Sequence, residues 1–175
     1  MTPVFRGTPF YSYPEYDAQP EVPFVFAPCI GGLAESVISA APSSFVGVTD
    51  LATMMKGWAK QMGLQFENNL QRQVTMANPY YAGNLWPRAQ QAARDGGAQV
   101  AIVPDNGGTL TLLPQGGSRT SLTTVPLISP QTGMIGYPSF AVGGLLIVKF
   151  LYNPQVKFLG DIQIESSIPQ AIGKW

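Results

Sequence analysis

The chain has no histidine and a single cysteine, Cys29, among its 175 residues. Without imidazole there is no His-based triad or dyad and no His-ligated zinc. One thiol closes no intramolecular disulfide and builds no cysteine cluster for zinc or iron–sulfur. Charge is scarce too. Lys and Arg total 10, Asp and Glu total 10, the net charge is zero and 11% of residues are charged, against the usual quarter or so. A neutral chain lacks the basic face with which nucleic-acid binders grip phosphate. Long apolar runs are missing as well. The most apolar stretch, Phe140 to Tyr152, contains Lys149 and falls well short of the roughly 20 residues of a bilayer-spanning helix, so no membrane span is expected.

Glycine and proline are abundant instead. The 19 Gly and 16 Pro make a fifth of the chain, where about 12% is average. With 45% apolar residues and 11% aromatics, the chain is too apolar for disorder. A neutral, charge-poor surface self-associates unless something covers it. The composition therefore points to a subunit of a larger assembly, although a small β domain with many turns has the same composition.

Three stretches differ in pattern. In residues 1–42, short β-forming runs at Phe5–Tyr13 and Val22–Phe26 are broken by prolines, which suit edges or kinks because they lack the ladder N–H. Ala34 to Ala41 has room for one or two helical turns before Pro42. In residues 43–121 the apolar period becomes helical. Leu51, Met54, Met55, Trp58 and Met62 fall on one stripe, with Thr49 or Asp50 as N-cap and Gly63 as a left-handed stop. Strands at Leu64–Asn68 and Gln73–Met76 are expected next, with a turn beginning at Asn68-Asn69. Asn84 caps a second helix with Pro87 in its first turn, a small face of Ala89, Ala92 and Ala93, and Gly96-Gly97 as its stop. Gln99–Val103 and Thr109–Leu113, joined by Pro104-Asp105-Asn106-Gly107-Gly108, read as a hairpin. The order helix, two strands, helix, two strands suggests a weak structural repeat. In residues 122–175, Leu145–Tyr152 reads as a buried strand, Asn153-Pro154-Gln155 as a turn, and Phe158–Ser166 as a strand with one wet face, with Ile162 and Ile164 opposite Asp161, Gln163 and Glu165.

The expected fold class is therefore α+β and β-rich. One β domain, residues 1–42 and 122–175, is interrupted by an inserted α+β domain, residues 43–121, with two helices on a small sheet.

Several short motifs stand in a distinctive order: GLQFENN (63–69), NPYYAGN (78–84), LLPQGGSR (112–119), LISPQTGMIGYPSF (127–140) and LYNPQVKFLGDIQIESSIPQAIGKW (151–175). In this order the chain resembles the tail (baseplate) hub proteins of bacteriophages and prophages, related in architecture to the late-control-D type hubs. The resemblance implies a tail-tube-like β-barrel with an inserted α+β domain, arranged as a homotrimeric ring at the distal end of the virion's tail. Its implied neighbours are tail-tube and spike or baseplate proteins, with genomic DNA passing through non-specifically. Family members carry further strands before TPVFRGT (2–8) and after GKW, so the barrel part is expected to be incomplete, with open edges that pair with other chains.

No catalytic residue, metal site or cofactor is expected. PQGGSR (114–119) lacks the Lys-Ser/Thr ending and helix of a P-loop, so Gly116, Gly117 and Arg119 are read as an interdomain hinge. A peptidoglycan-degrading or peptidoglycan-binding tail component is the alternative. Degradation needs two facing carboxylates, for which Glu67 with Asp95 or Asp105 are the candidates. Trp58, Trp86, Tyr80 and Tyr81 are expected as core or contact surface, and Ile147, Ile162 and Ile164 as the buried positions of the C-terminal strands. Asp161 and Glu165 are candidate lumen-facing acids, which would repel DNA phosphates.

Overall fold

The structure, a computed structural model, describes residues 8, 9, 11–16, 23–26, 29–30, 33–104, 108–119 and 124–175. A single helical turn, α1, covers Leu33–Ser36. The two longer helices are α2, Leu51–Gln61, and α3, Leu85–Asp95. Both follow from local chemistry. Asp50 holds extended backbone and its carboxylate accepts hydrogen bonds from the Thr53 N–H at 3.0 Å and the Thr53 hydroxyl at 3.2 Å, which satisfies the open end of α2. At the other end Gly63 turns left-handed at φ 71°. The Gly63 N–H then donates to Lys60 O and the Leu64 N–H to Ala59 O, the paired bonds of a Schellman stop. The stripe Leu51, Met54, Met55, Trp58 and Met62 is buried.

Helix α3 buries Leu85, Arg88, Ala89, Ala92 and Ala93. Its alanines let it approach α2 closely, and Gly96 finishes the fit. A Cβ there would stand 2.8 Å from Leu51 Cδ2 and 3.1 Å from Met76 Cε and Val74 Cγ1, so a larger residue would have to displace those side-chain ends.

Both helices lie on a three-stranded sheet in the order 98–103, 109–114, 65–68. Ala98–Val103 and Thr109–Pro114 form the expected antiparallel hairpin; its turn residues Asp105, Asn106 and Gly107 lie outside the described residues. Gln65–Asn68 joins the other edge of 109–114 in parallel, Leu110 opposite Phe66. Leu110 and Leu112 enter the core cluster beneath the helices, with Phe66, Val100 and Ile102 packed against it. Thr109, Thr111 and Leu113, on the alternate positions, are buried as well.

Strand pairing departs from the expected repeat. Thr75–Ala77 pairs with Val48–Asp50 and leaves Gln65–Asn68 to the central sheet. The reason lies in Asn68, whose side chain accepts from the Leu70 N–H at 3.0 Å and bends the chain away. The Leu51 N–H bonds Val74 O at 2.8 Å, anchoring the start of α2 to the segment entering 75–77. Upstream, Ser43–Ser44 pairs with Tyr80–Tyr81, Tyr13–Tyr16 with Pro23–Phe26, and Thr8–Pro9 with Cys29–Ile30.

The chain divides into two units, Met1–Gly117 and Ser118–Trp175. The division falls at one boundary, after Gly117. The fold is α+β and sheet-rich as expected, and no closed barrel forms among the described residues. Nor is any described helix long and apolar enough to cross a membrane.

In the second unit, Leu127–Ile128 runs parallel to Gln163–Ile164, which pairs antiparallel with Gly173–Lys174. Its buried apolar residues include Ile128, Ile164 and Ala171. The expected buried strand Leu145–Tyr152 is corrected here. The strand is Leu145–Ile147, it pairs with Ser139–Ala141, and Ile147 is 50% exposed. Gly143 and Gly144, at φ 87° and 77°, reverse the chain and fold 145–147 back on its own upstream neighbour. The expected strand 158–166 shortens to Gln163–Ile164 because Leu159 sits at φ 59°, a conformation no strand accommodates.

Leu112→Ala is expected to cost about 2–5 kcal/mol, as a fully buried leucine truncated to a cavity does. Leu145→Ala, at an exposed position, is expected to stay within about 0.5 kcal/mol. Urea unfolding of the full chain, dilute enough to be monomeric, checks both, and a large loss at Leu145 under those conditions would contradict its placement at the surface.

Candidate functional site

The most constrained polar group in the first unit is Arg88, which sequence reasoning did not single out. It is 1% exposed. Its guanidinium donates to Ala41 O at 3.0 Å, Ala40 O at 3.1 Å, Gly83 O at 2.6 Å and Ser43 Oγ at 2.9 Å. It lies 5.9 Å from the ring centre of Trp58, whose indole N–H also donates to Ser43 Oγ. Only Nε is left buried without a hydrogen bond. A guanidinium that bridges three carbonyls holds backbone in place and has no open side for a ligand, so this is a structural clamp. A signal for it was present: Arg88 falls on the same face as Leu85, Ala89 and Ala92, where a solvated charge has no place.

The expected aromatic group separates. Trp58 and Tyr81 are buried and meet edge to face at 5.6 Å; Trp86 is half-buried against the same core; Tyr80 is 63% exposed. The Tyr81 hydroxyl donates to Asp95 Oδ2 at 3.0 Å. Burial first, and then the Asp95 carboxylate, push the Tyr81 phenol up to about 12.

The candidate acids have separate partners. Asp95 is held by Tyr81. Glu67 accepts from Asn69 Nδ2 at 2.8 Å, and Asn69 also donates to Thr111 Oγ1 at 2.9 Å, a network that covers the central strand. Asp105 lies outside the described residues. Near Asn68 a polar cleft of about 310 Å³ is lined by Asp50, Asn68, Gln71, Arg72 and Gln73, with Ala52, Leu70 and Val74. Asp50 is its one lining carboxylate and is engaged in capping α2. No aromatic ring lines it, so it lacks the stacking platform expected of a sugar site. Among the described residues no group of His, Cys, Asp and Glu is placed to hold a metal.

Gly116, Gly117 and Arg119, expected as a hinge, flank the division between the units, which lies between Gly117 and Ser118. Gly116 is left-handed at φ 67°, and the Gly117 N–H closes a turn onto Pro114 O at 2.9 Å. Arg119 is buried, and its guanidinium donates to Phe158 O at 3.4 Å.

In the second unit Ile164 is buried, Ile162 half-buried and Ile147 largely outside. The expectation that Asp161 and Glu165 share a strand face is corrected. Asp161 precedes the strand and pairs with Lys174 Nζ at 2.7 Å. The Lys174 bond, with help from Ser118, holds its carboxyl below the usual range. Glu165 remains exposed. Compared with known proteins, the chain matches no family model and no curated sequence.

Two outcomes follow from this geometry. Arg88→Met is expected to lose about 2–4 kcal/mol, because carbonyls and a hydroxyl lose a charged donor, and Arg88→Lys is not expected to restore it, lacking the planar fork; chemical denaturation checks both. For Tyr81, the folded pKa of about 12 lies above the ordinary value near 10. Its contribution is therefore complete below pH 10 and is lost as pH rises toward 12. Ultraviolet phenolate titration is expected to show one late tyrosine that Tyr81→Phe removes, and a Tyr81→Phe profile identical to the parent would contradict the assignment.

Proposed function

We propose that the chain is a structural subunit of a bacteriophage tail-tip or baseplate hub, which assembles as a homo-oligomeric ring that continues the tail tube and joins it to the central spike. The observation that supports this most is the second unit. It carries large apolar side chains such as Tyr137, Val142, Leu145, Leu151 and Tyr152 on its outside while burying Ile128, Ile164 and Ala171. A unit of this kind acquires a full core only when other chains cover it. Its strands are two or three residues long and offer edges for pairing with neighbouring copies. In this reading a tube-like barrel is completed across subunits, as the motif resemblance implies, and the α+β unit thickens the ring. Glu165 is left as the candidate acid for a DNA-repelling lumen, since Asp161 is already compensated by Lys174. The mechanism is geometric, with no reaction and no cofactor assigned.

The alternative reading, a peptidoglycan-binding tail component, has as its one candidate surface the polar cleft at Asp50–Val74, which offers amide and charged groups without an aromatic platform. Mass measurement in solution with electron microscopy of the particles separates the two. Rings of defined copy number, trimers by the resemblance, are expected. A stable monomer at tens of micromolar that is retained on sacculi would overturn the hub in favour of the binder.

A further inference from the structure

The apolar run that the sequence assigns to a buried strand is one arm of an exposed ribbon. Ser139–Ala141 and Leu145–Ile147 pair in register, Ser139 opposite Ile147 and Ala141 opposite Leu145. The pairing continues past a gap. The Ile135 N–H donates to Lys149 O at 2.7 Å, the Leu151 N–H donates to Gly133 O at 2.9 Å, and Met134 bridges Phe150. Residues 133–151 thus double back on themselves, paired at the base by 133–135 with 149–151 and at the end by 139–141 with 145–147, with an irregular stretch between and Val142-Gly143-Gly144 at the tip.

The two faces of the arm differ. Phe140 and Leu146 oppose each other on one face, and Phe140 meets Trp175 edge to face at 6.3 Å. Leu145 and Ile147 stand on the other face, 65% and 50% exposed, and Val142 at the tip is 98% exposed. Ile135, Tyr137 and Leu151 extend the apolar surface along the arm.

Such an arm is marginal alone in water, since an isolated two-stranded ribbon lacks a covered face. Its guards are few: between Gly133 and Tyr152 the one charged residue is Lys149 and the one proline is Pro138, and neither three-residue strand itself contains a proline or a charge. From their fractional exposures, the six outward residues present on the order of 800 Å² of largely apolar surface, about what one partner contributes to a standard interface. The arm carries almost no charge with which to recognise a partner of different chemistry, and the chain's net charge of zero leaves copies free of mutual repulsion.

We infer that the ribbon 133–151 is the subunit–subunit contact of this protein, its outer face and edge seated on a second copy of the same chain. This rests on the ring reading only in naming the copy as occupant.

The test is the paired variant Val142→Glu/Leu145→Glu in the full chain, compared with the parent by analytical ultracentrifugation over a concentration series, with circular dichroism and thermal unfolding to verify the fold. Both sites are exposed, so the fold is expected to survive while self-association weakens at least about tenfold. In parallel, the backbone amides of 139–141 and 145–147 are expected to be protected from hydrogen exchange in concentrated parent and to exchange quickly on dilution, a readout that needs no variant. A parent that oligomerises together with a variant that does so equally well, or exchange independent of concentration, overturns the ribbon contact and leaves the ring reading standing. Parent oligomers that dissociate in the variant but never close into rings keep the ribbon contact and overturn the ring. A monomeric parent overturns both.

Discussion

Arg88 carries a permanent positive charge into the interior of the first unit, and the arrangement around it follows from the need to solvate that charge without water. A buried guanidinium is tolerable only where donors meet acceptors in the right plane. Here the acceptors are supplied by residues distant in sequence: Ala40, Ala41 and Ser43 before α2, and Gly83 before α3. Trp58, from the middle of α2, closes the remaining face. One side chain thus joins the lead-in to each helix and the body of α2. The neighbouring bonds agree with it: Ser39 bridges Asn84, the Leu85 N–H reaches Ile38 O, and Ser43–Ser44 pairs with Tyr80–Tyr81. Moving any one of these segments strands a carbonyl or a charge.

With the helix entries held, the sheet beneath has little freedom. The alanines of α3 and Gly96 set the distance between the helices, and Leu110, Leu112 and Phe66 fill what remains. The other side of the central strand is sealed by polar groups, with Asn69 joining Glu67 to Thr111. Glu67, which looked from sequence like half of a catalytic pair, is absorbed in that task, and Asp95 is absorbed by Tyr81. Acids placed at turns and helix ends are commonly drawn into local hydrogen bonding in this way.

What was legible in the sequence was what is local. The stripe of α2, the Asp50 cap, the Gly63 stop, the small face of α3 and the hairpin 98–114 each depend on residues a few positions apart, and each is present. Pairing between distant strands was not legible. Nothing in Thr75–Ala77 alone distinguishes Val48–Asp50 from Gln65–Asn68 as its partner; an Asn68 side-chain bond and the Leu51–Val74 contact decide it. An arginine on a helix usually lies in solvent, and the one local sign against that default at Arg88 is its place on the face of Leu85, Ala89 and Ala92. Leu145–Tyr152 misled for a different reason. Its composition is that of a buried strand whether its own chain or another chain does the burying, and apolar periodicity does not say which.

The scarcity of charge gains meaning from where the charges are. Several of the few available are committed inside a unit: Arg88 to backbone carbonyls, Arg119 to Phe158 O, Asp50 to the start of α2, Asp95 to Tyr81, Asp161 to Lys174. Each committed charge is one fewer to keep an outer surface wet. The longest run without a charge, residues 120–148, takes in most of the ribbon, and Lys149 is the one charge along residues 133–152. A free monomer would need charge at exactly such an edge to remain apart from its copies. Internal clamps and a bare outer arm are thus two sides of one allocation: charge is taken up in bonds within each unit, and apolar area is left outside, where the proposed contact with a second copy would cover it.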